Sequence, residues 1–410
     1  MALAKRRSRG ICIKFMRSVN RHKTLRTWVL LLSGMVLVLV SLHLSWPNVS
    51  RMTVQGNREY DPPDPPCVDR YSTIFNRVED IFCINLPAFL PQFKNPCFYD
   101  YFPMGLKRLR CLPYFYIIGM DKSGTTDLHA RLVRHPLVKG NFGILGKEAQ
   151  FWSWKRFGIM IKQSGDMNTT LDMYMELFAQ TADAIDRQNN TEIITGDASP
   201  MDFWDFRGWP MIPQNKGFSE AWVLTPHFLK YIYKGAPKLI IQFREPIERL
   251  YSDYIFMKYG TNPVEFHTHT LQAIDMMSAC LKNHSIRFCY FDNGMYQKLP
   301  ARVHVGCYSV FLKEWFRVFP RSAFHVTRTT EYKNDMEGTL KGVFDFLDIP
   351  QPTKAVMEDI LKMGKHHVTD KKGVALPETV KVLREFYADC NKETAELLGD
   401  DRFLWKDHYS

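Results

Sequence analysis

From residue 113 onward, short apolar runs alternate with segments that have the periodicity of amphipathic helices. Four runs have the length of buried strands: 114–119 (YFYIIG), 192–196 (EIITG), 238–243 (KLIIQF) and 323–327 (AFHVT). Helical segments follow at least three of them, which predicts an α/β fold with a mostly parallel sheet flanked by helices on both faces. In such sheets ligands bind at the carboxyl ends of the strands, so we expect functional residues in the turns that follow these runs.

One apolar stretch is too long for a strand. Residues 27–46 (TWVLLLSGMVLVLVSLHLSW) have the ~20 residues that a helix needs to cross a bilayer, and Trp28 and Trp46 lie near its ends, as interface aromatics often do. A cleaved signal peptide is the alternative, but its apolar run is usually only ~7–15 residues long and ends at a small-residue cleavage site. The pattern therefore predicts a single transmembrane helix that stays in place as a signal anchor.

The distribution of charge predicts the orientation of this anchor. The chain has 54 Lys and Arg against 43 Asp and Glu, and nine of the basic residues lie in residues 1–26, which contain no acidic residue. By the positive-inside rule, 1–26 form a cytosolic tail and 47–410 enter the lumen, as in a type II membrane protein. The remainder of the chain is nearly neutral, so its net charge does not indicate binding to nucleic acid.

Cysteines and acceptor sequons agree with a lumenal location. Cys12 precedes the anchor, and an even number of cysteines follows it: Cys67, Cys83, Cys97, Cys111, Cys280, Cys289, Cys307 and Cys390. In an oxidising compartment this predicts disulfides, of which only Cys280 with Cys289 is suggested by proximity along the chain. Sequons for N-glycosylation occur at Asn48, Asn168, Asn189 and Asn283. Residues 47–111 begin with a Pro-rich stem and continue as a disulfide-tied lead-in that we expect to pack on the domain formed by 112–410.

The first predicted strand ends in a candidate anion site. In GMDKSGTTDLHARL, small residues and two threonines precede a helix whose free N–H groups and partial positive charge favour an anion, and Lys122 adds a full charge. The nucleotide-triphosphatase pattern is absent, because it places Gly-Lys together after four spacers. An ordinary strand-to-helix turn with an exposed lysine is the alternative.

The third predicted strand leads into REPIERLYSDYIF. Apolar residues at helical spacing, from Ile247 to Ile255, predict a helix buried along one stripe, and Ser252 falls more than 90° from the centre of that stripe. We therefore expect Ser252 outside the core. Arg244, at the carboxyl end of the strand, is suited to gripping an anionic group. A salt bridge from Arg244 to a nearby glutamate, with Ser252 merely solvated, is the alternative.

Together, Lys-x-Gly-Thr-Thr after one strand and an Arg with a Ser eight residues on after a later strand resemble the sulfotransferases that use 3′-phosphoadenosine 5′-phosphosulfate (PAPS). The resemblance covers roughly residues 112–405 and implies a P-loop-like sulfotransferase fold. In that family the first loop holds the 5′-phosphosulfate and the Arg and Ser hold the 3′-phosphate. By resemblance, the first role falls to Lys122, Ser123, Gly124, Thr125 and Thr126, and the second to Arg244 and Ser252.

Further segments extend the resemblance to catalysis. GKEAQFWSW is similar to the Lys-Glu segment of Golgi glycosaminoglycan sulfotransferases, whose glutamate is the catalytic base, which implies that role for Glu148. Lys122 would stabilise the charge that develops on the leaving phosphate. The alternative for Glu148 is a surface carboxylate paired with Lys147. Relatives usually have His two residues after this Glu, whereas this chain has Gln150, which can donate a hydrogen bond but cannot carry a proton.

A later charged segment, TDKKGVALPET, resembles the loop that closes over the donor, and by resemblance Lys371, Lys372 and Gly373 bind it. A solvated turn is the alternative. No metal is expected, because His267, His269, His366 and His367 lack the accompanying Cys, Asp or Glu spacing of a ligand set.

The Asp-Ala-Ser-Pro block in GDASPMDFWD and the C-terminal segment look closest to the N-acetylgalactosamine 4-sulfate 6-O-sulfotransferase branch. This implies a Golgi membrane enzyme that modifies C6 of N-acetylgalactosamine 4-sulfate in chondroitin or dermatan sulfate. A heparan sulfate O-sulfotransferase and an inactive, membrane-tethered glycan-binding homologue remain as alternatives. A nucleotide kinase is disfavoured by the position of Lys122 and by the lack of a magnesium-binding pattern.

Overall fold

A five-stranded parallel sheet lies at the centre of the computed structural model, which describes residues 64–71, 78–159, 169–364 and 373–408. The strands of the described residues are β1 (Cys97–Tyr101), β2 (Lys107–Cys111), β3 (Phe115–Gly119), β4 (Val138–Lys139), β5 (Ile194–Asp197), β6 (Lys238–Phe243) and β7 (Phe324–Arg328). β1 and β2 form a separate antiparallel hairpin. The central sheet has the order β4-β5-β3-β6-β7, with every neighbouring pair parallel.

All four predicted strands are present. β6 has its predicted bounds, and β3, β5 and β7 differ from prediction by one or two residues at their ends. β4 was not predicted, because two residues at the edge of a sheet are too few to show a pattern. The hairpin β1–β2 was also not predicted as strands, although its region was expected to be tied by disulfides.

Helices cover both faces of this sheet, which confirms the predicted layering. They are α1 (Thr125–Leu132), α2 (Leu171–Glu176), α3 (Ala179–Gln188), α4 (Thr225–Tyr233), α5 (Pro246–Phe256), α6 (Pro263–Leu281), α7 (Ile286–Phe291), α8 (Asn293–Lys298), α9 (Tyr308–Phe316), α10 (Thr329–Asn334), α11 (Met336–Phe346), α12 (Lys354–Lys362) and α13 (Pro377–Leu398). Alternate residues of β3 pack into two different apolar clusters: Phe115 and Ile117 face α1 and α11, while Tyr116 and Ile118 belong to the larger cluster on the other face. Burial on both faces explains why β3 is continuously apolar.

Four disulfides join the eight cysteines after residue 46: Cys67–Cys83, Cys97–Cys111, Cys280–Cys289 and Cys307–Cys390. The suggested Cys280–Cys289 pair is therefore present. The lead-in packs on the main domain through Phe82, whose ring centroid lies 5.2 Å from that of Phe228 in α4. Within the described ranges, no helix is long and apolar enough to cross a membrane, and the predicted anchor at 27–46 lies outside those ranges.

Candidate active site

The turn between β3 and α1 leaves a helix N-terminus without a side-chain cap. Gly124 occupies the N-cap position in the left-handed conformation, with φ of 90°, and it has no side chain with which to bond the first-turn N–H groups. A Cβ at this position would lie 3.0 Å from Nε2 of Gln242, so both the backbone angle and the close approach require glycine. The amides of the first turn, at Thr125 and Thr126, remain for an anion.

Residues at or just after the ends of β6 and β7 donate hydrogen bonds to the carbonyl groups of this turn. The Ser123 carbonyl accepts hydrogen bonds from Gln242 Nε2 at 2.5 Å and from Thr329 Oγ1 at 2.8 Å. Arg244 Nη1 donates to the Lys122 carbonyl at 3.1 Å. The Ser123 hydroxyl is buried and has no hydrogen-bond partner among the described residues, so it is oriented by the fold but unsatisfied by it.

Lys122 is partly buried on the turn, with φ of 62°, and its ammonium lies 3.6 Å from the ring centroid of Phe256 in α5. Burial lowers the pKa of Lys122, and the nearby carboxylates of Asp253 and Asp121 oppose that change. The Lys122 ammonium is thus held against an aromatic face, a contact that the sequence analysis did not predict.

Behind Lys122 lies a buried charged cluster that sequence reasoning missed. Arg302 bonds both carboxylate oxygens of Asp253, one at 2.7 Å, and lies 3.8 Å from the Asp121 carboxylate. Burial alone would raise the pKa of Asp253, but the charges of Arg302 and Arg249 lower it overall. Burial raises the pKa of Asp121 to about 6. Asp121 could have been found from its place beside Lys122, whereas no sequence signal connects Arg302 to the turn.

Arg244 lies beside the anion site, but it already has a carboxylate partner. Its Nη2 is 2.8 Å from Oε2 of Glu248, while Nη1 reaches the Lys122 carbonyl. The Tyr308 hydroxyl donates to the Arg244 carbonyl at 2.7 Å, which fixes the backbone at the end of β6. The salt bridge considered as an alternative therefore exists, and Arg244 also contacts the turn before α1, which was not predicted.

The prediction that Ser252 lies outside the core is wrong. Ser252 is only 3% exposed, because the face of α5 opposite the apolar stripe is buried as well. That face carries Arg249 and Asp253, both buried, and α5 packs on the turn formed by Val303–Gly306. At its far end the same face carries Phe256, which contacts Lys122, so Ser252 faces the side of α5 that meets the anion site.

Glu148 lies in an irregular segment after β4 and is largely buried, with a side chain 15% exposed. One carboxylate oxygen forms an ion pair with Lys147, which is itself 1% exposed, and the other accepts a hydrogen bond from Gln150 Nε2 at 3.0 Å. The pairing with Lys147 is thus present, but Glu148 is not a surface carboxylate. Its negative charge contributes to the raised pKa of Asp121, which places Glu148 within electrostatic range of the residue next to Lys122.

The predicted donor-closing loop is only partly described. Gly373 has φ of 87°, and a Cβ there would lie 3.2 Å from Pro263 at the start of α6. Lys371 and Lys372 lie outside the described residues. Of the histidines considered as metal ligands, His267 bonds Thr379 and His269 bonds Tyr254.

The site residues described above lie within a part of the chain that matches a known protein family. The sulfotransferase domain family matches residues 112–374, which is more than half of the chain. The chain belongs to this family, and the resemblance inferred from its motifs is confirmed.

Within the family, the chain is similar to carbohydrate sulfotransferase 15. It is 34% identical to the mouse protein over 315 residues, which are 73% of this chain and 55% of that protein. The human protein gives 33% identity over the same length and the same coverage. The chain therefore spans about half the length of the curated relatives that it matches.

Solved structures with similarity to the chain include a sulfotransferase from Alicyclobacillus acidocaldarius, with 19% identity, a TM-score of 0.42 and coverage of 72% of this chain and 99% of that one. Mouse sulfotransferase SULT7A1 complexed with PAP has 11% identity, a TM-score of 0.38 and coverage of 76% and 99%. The sequence matches, rather than these structures, place the chain in its family.

Proposed function

We propose that the chain transfers a sulfuryl group from PAPS to a sugar hydroxyl of a glycosaminoglycan, at C6 of N-acetylgalactosamine 4-sulfate in chondroitin or dermatan sulfate. One observation carries the proposal. The uncapped N-terminus of α1, the unsatisfied Ser123 hydroxyl and the Lys122 ammonium converge on one turn, and Arg244 holds that turn from the next strand. The similarity to carbohydrate sulfotransferase 15 supports the choice of acceptor.

The residues of the turn suit a phosphosulfate. The amides of Thr125 and Thr126 and the Ser123 hydroxyl supply neutral donors, and Lys122 supplies positive charge. Arg244, with Ser252 on the adjoining helix, supports a second phosphate position at the end of β6. When bound, the donor supplies an activated sulfuryl group whose leaving group is a phosphate.

Glu148 is proposed as the base. As the acceptor oxygen bonds to sulfur and the bond from sulfur to the bridging phosphate oxygen breaks, the hydroxyl proton passes to the Glu148 carboxylate. Lys122 and the N-terminus of α1 stabilise the charge that the departing phosphate gains. The Lys147 ammonium and the Gln150 amide both donate to the Glu148 carboxylate, so they orient its two oxygens.

The Gln150 contact bears on the alternative of an inactive glycan-binding homologue. Gln150 replaces the histidine of relatives but still donates a hydrogen bond to the carboxylate, at 3.0 Å. It therefore retains an orienting role, although it cannot accept a proton. This favours an active enzyme over a binding protein that has lost catalysis.

The test is to incubate the chain of residues 1–410, purified in detergent, with sulfur-labelled PAPS and separate chondroitin, dermatan, heparan and keratan acceptors, followed by disaccharide analysis. Label on the 6-position of 4-sulfated N-acetylgalactosamine is the expected result. Label on heparan alone would replace our acceptor, and glycan binding without transfer would favour the inactive homologue.

Two variants test the roles of the residues in the reaction. Lys122→Ala and Glu148→Gln should each lower kcat by about 100-fold or more, since each removes a group that acts on the transition state. Glu337→Gln, a substitution at an exposed carboxylate that pairs with Lys341 on α11, is the matched control and should leave kcat unchanged. Full activity in both site variants would mean that the assignment of these residues is wrong.

We also propose a type II Golgi membrane location, with 27–46 as the anchor. Four disulfides support an oxidising compartment, and the sequon asparagines Asn189 and Asn283 are both exposed. In cells, glycosidase treatment should shift the mobility of the chain, and alkaline carbonate should leave it in the membrane pellet. An unglycosylated chain that carbonate extracts would overturn this location.

A further inference from the structure

Glu148 lies outside the named strands and helices, in a tight turn that is closed by backbone hydrogen bonds between Ile144 and Glu148, at 2.8 and 3.0 Å. Leu145 and Gln150 both have φ of 56°, so the chain turns sharply on either side of the glutamate. Asn141 fixes the start of the turn, because its Nδ2 donates to the Lys147 carbonyl at 2.9 Å. A catalytic base on such a segment needs further support to hold one position.

That support comes from the end of β5. The Ala149 amide donates to Oδ1 of Asp197 at 3.2 Å, and the Gln150 amide donates to the Ser199 hydroxyl oxygen at 2.9 Å. The Ser199 hydroxyl in turn donates to the same Asp197 oxygen at 2.7 Å. Both peptide amides that follow Glu148 are therefore held by one pair of side chains.

Asp197 is itself rigidly placed. It is the last residue of β5 and fully buried, and its second carboxylate oxygen accepts a hydrogen bond from the Tyr174 hydroxyl at 3.1 Å. The Tyr174 hydroxyl oxygen lies 3.1 Å from that of Tyr116. Tyr116 belongs to β3, the strand that leads to Lys122. The support of Glu148 thus rests on the same sheet that positions the anion-binding turn.

We propose that Asp197 and Ser199 are positioning residues that hold Glu148 in line with the acceptor hydroxyl. Both are buried, at 0% and 1% exposed, so they act through the backbone of Ala149 and Gln150. This inference rests on the proposed function. The competing explanation is that the pair only stabilises the fold.

Ser199→Ala separates these explanations, because it removes one hydroxyl and leaves Asp197 in place. We expect kcat to fall by about 10- to 100-fold, the cost of a small misplacement of a catalytic group, while the Kd for 3′-phosphoadenosine 5′-phosphate stays within about twofold. Ser309→Ala is the matched control, since Ser309 is also buried but its hydroxyl has no hydrogen-bond partner in the described chain. It should leave both quantities unchanged.

A double-mutant cycle gives a readout that a purely structural role would not change. In the Glu148→Gln background, Ser199→Ala should lower the residual kcat by less than about twofold, because no base remains to be positioned. An equal loss in both backgrounds, or an undiminished kcat in the single variant, overturns the proposal. Asp197→Asn, which keeps one accepting oxygen, should show a smaller loss with the same dependence on Glu148.

Amide hydrogen exchange in the chain of residues 1–410 tests this backbone clamp, meaning the hydrogen bonds from the Ala149 and Gln150 amides to Asp197 and Ser199, without relying on activity. The peptide that contains Gln150 should exchange faster in Ser199→Ala than in wild type or Ser309→Ala, because its amide loses its acceptor. Unchanged exchange overturns the clamp. If wild type transfers sulfate to no acceptor, the proposed function fails and the catalytic role of this pair fails with it, whereas faster exchange would still support the clamp itself.

Discussion

At the scale of single residues, the Arg244 guanidinium has two partners among the described residues, the Lys122 carbonyl and the Glu248 carboxylate, and only the carboxylate competes with a phosphate. The Glu248 carboxylate, which is 39% exposed, occupies Nη2 of the guanidinium. Glu248→Gln removes this negative charge, so we expect the chain to bind 3′-phosphoadenosine 5′-phosphate more tightly. The expected gain in affinity is roughly two- to fivefold, because breaking a partly exposed ion pair changes the binding free energy only by that much. Calorimetric titration at low salt measures the change.

Glu337→Gln again serves as the control for loss of one carboxylate, because its pair with Lys341 is exposed and lies on α11. Weaker binding by Glu248→Gln would show instead that Glu248 orients the guanidinium for its ligand.

The same glutamate creates a pH dependence through His408. Its contact with Glu248, at 3.4 Å, raises the pKa of His408 above its ordinary value, despite partial burial of the imidazole. A raised pKa in the folded state means that this contact stabilises fully below about pH 6.5 and is lost as the pH rises through the folded-state pKa.

His408→Gln should therefore lower Tm more at about pH 6 than at about pH 8.5. Glu248 is partly exposed, so the difference should stay within about 1 kcal/mol. An equal loss of Tm at both pH values would mean that the contact contributes no charge-dependent stability.

At the scale of elements, the turn before α1 depends on one glycine. Gly124→Ala places a Cβ against Gln242, whose amide holds the Ser123 carbonyl, and forces alanine into a left-handed conformation. We expect a loss of about 1–2 kcal/mol in the free energy of unfolding and a drop of about tenfold or more in donor affinity. Thermal unfolding and calorimetry measure the two effects.

Gly217→Ala is the matched control for Gly124→Ala. Gly217 has a similar φ of 87°, but a Cβ there would meet nothing within 4 Å. It should lose comparable stability and keep full donor affinity. Equal donor affinity in both variants would contradict the importance of the turn.

Elements with a strong local pattern could be predicted, and their surroundings could not. β6 is mostly apolar because both its faces are buried, and its bounds match the prediction. The periodicity of α5 also gave the correct apolar stripe, but it does not reveal what covers the opposite face. Ser252 was misplaced for that reason: it is buried on that face, and α5 packs on Val303–Gly306, about fifty positions later along the chain.

At the scale of the whole molecule, the site combines segments that no local pattern connects. The resemblance to sulfotransferases predicted roles for Lys122, Arg244 and Glu148, which lie in recognisable motifs. It did not reveal that Arg302 lies behind the anion-binding turn or that Ser199 supports the backbone after Glu148. Such contacts depend on the order of strands in the sheet, which the sequence does not state.

Disulfides connect distant parts of this fold to different extents. Cys307–Cys390 joins residues 83 positions apart and ties α9 to α13, whereas Cys280–Cys289 spans only 9 positions. A crosslink restricts the unfolded chain more when it closes a longer loop, so removing the first pair should cost about 2 kcal/mol more than removing the second. Double Cys→Ala variants of each pair, compared by thermal unfolding under non-reducing conditions, measure this difference. Equal losses of Tm would mean that native contacts around each bridge, rather than the restriction of the unfolded chain, set its contribution.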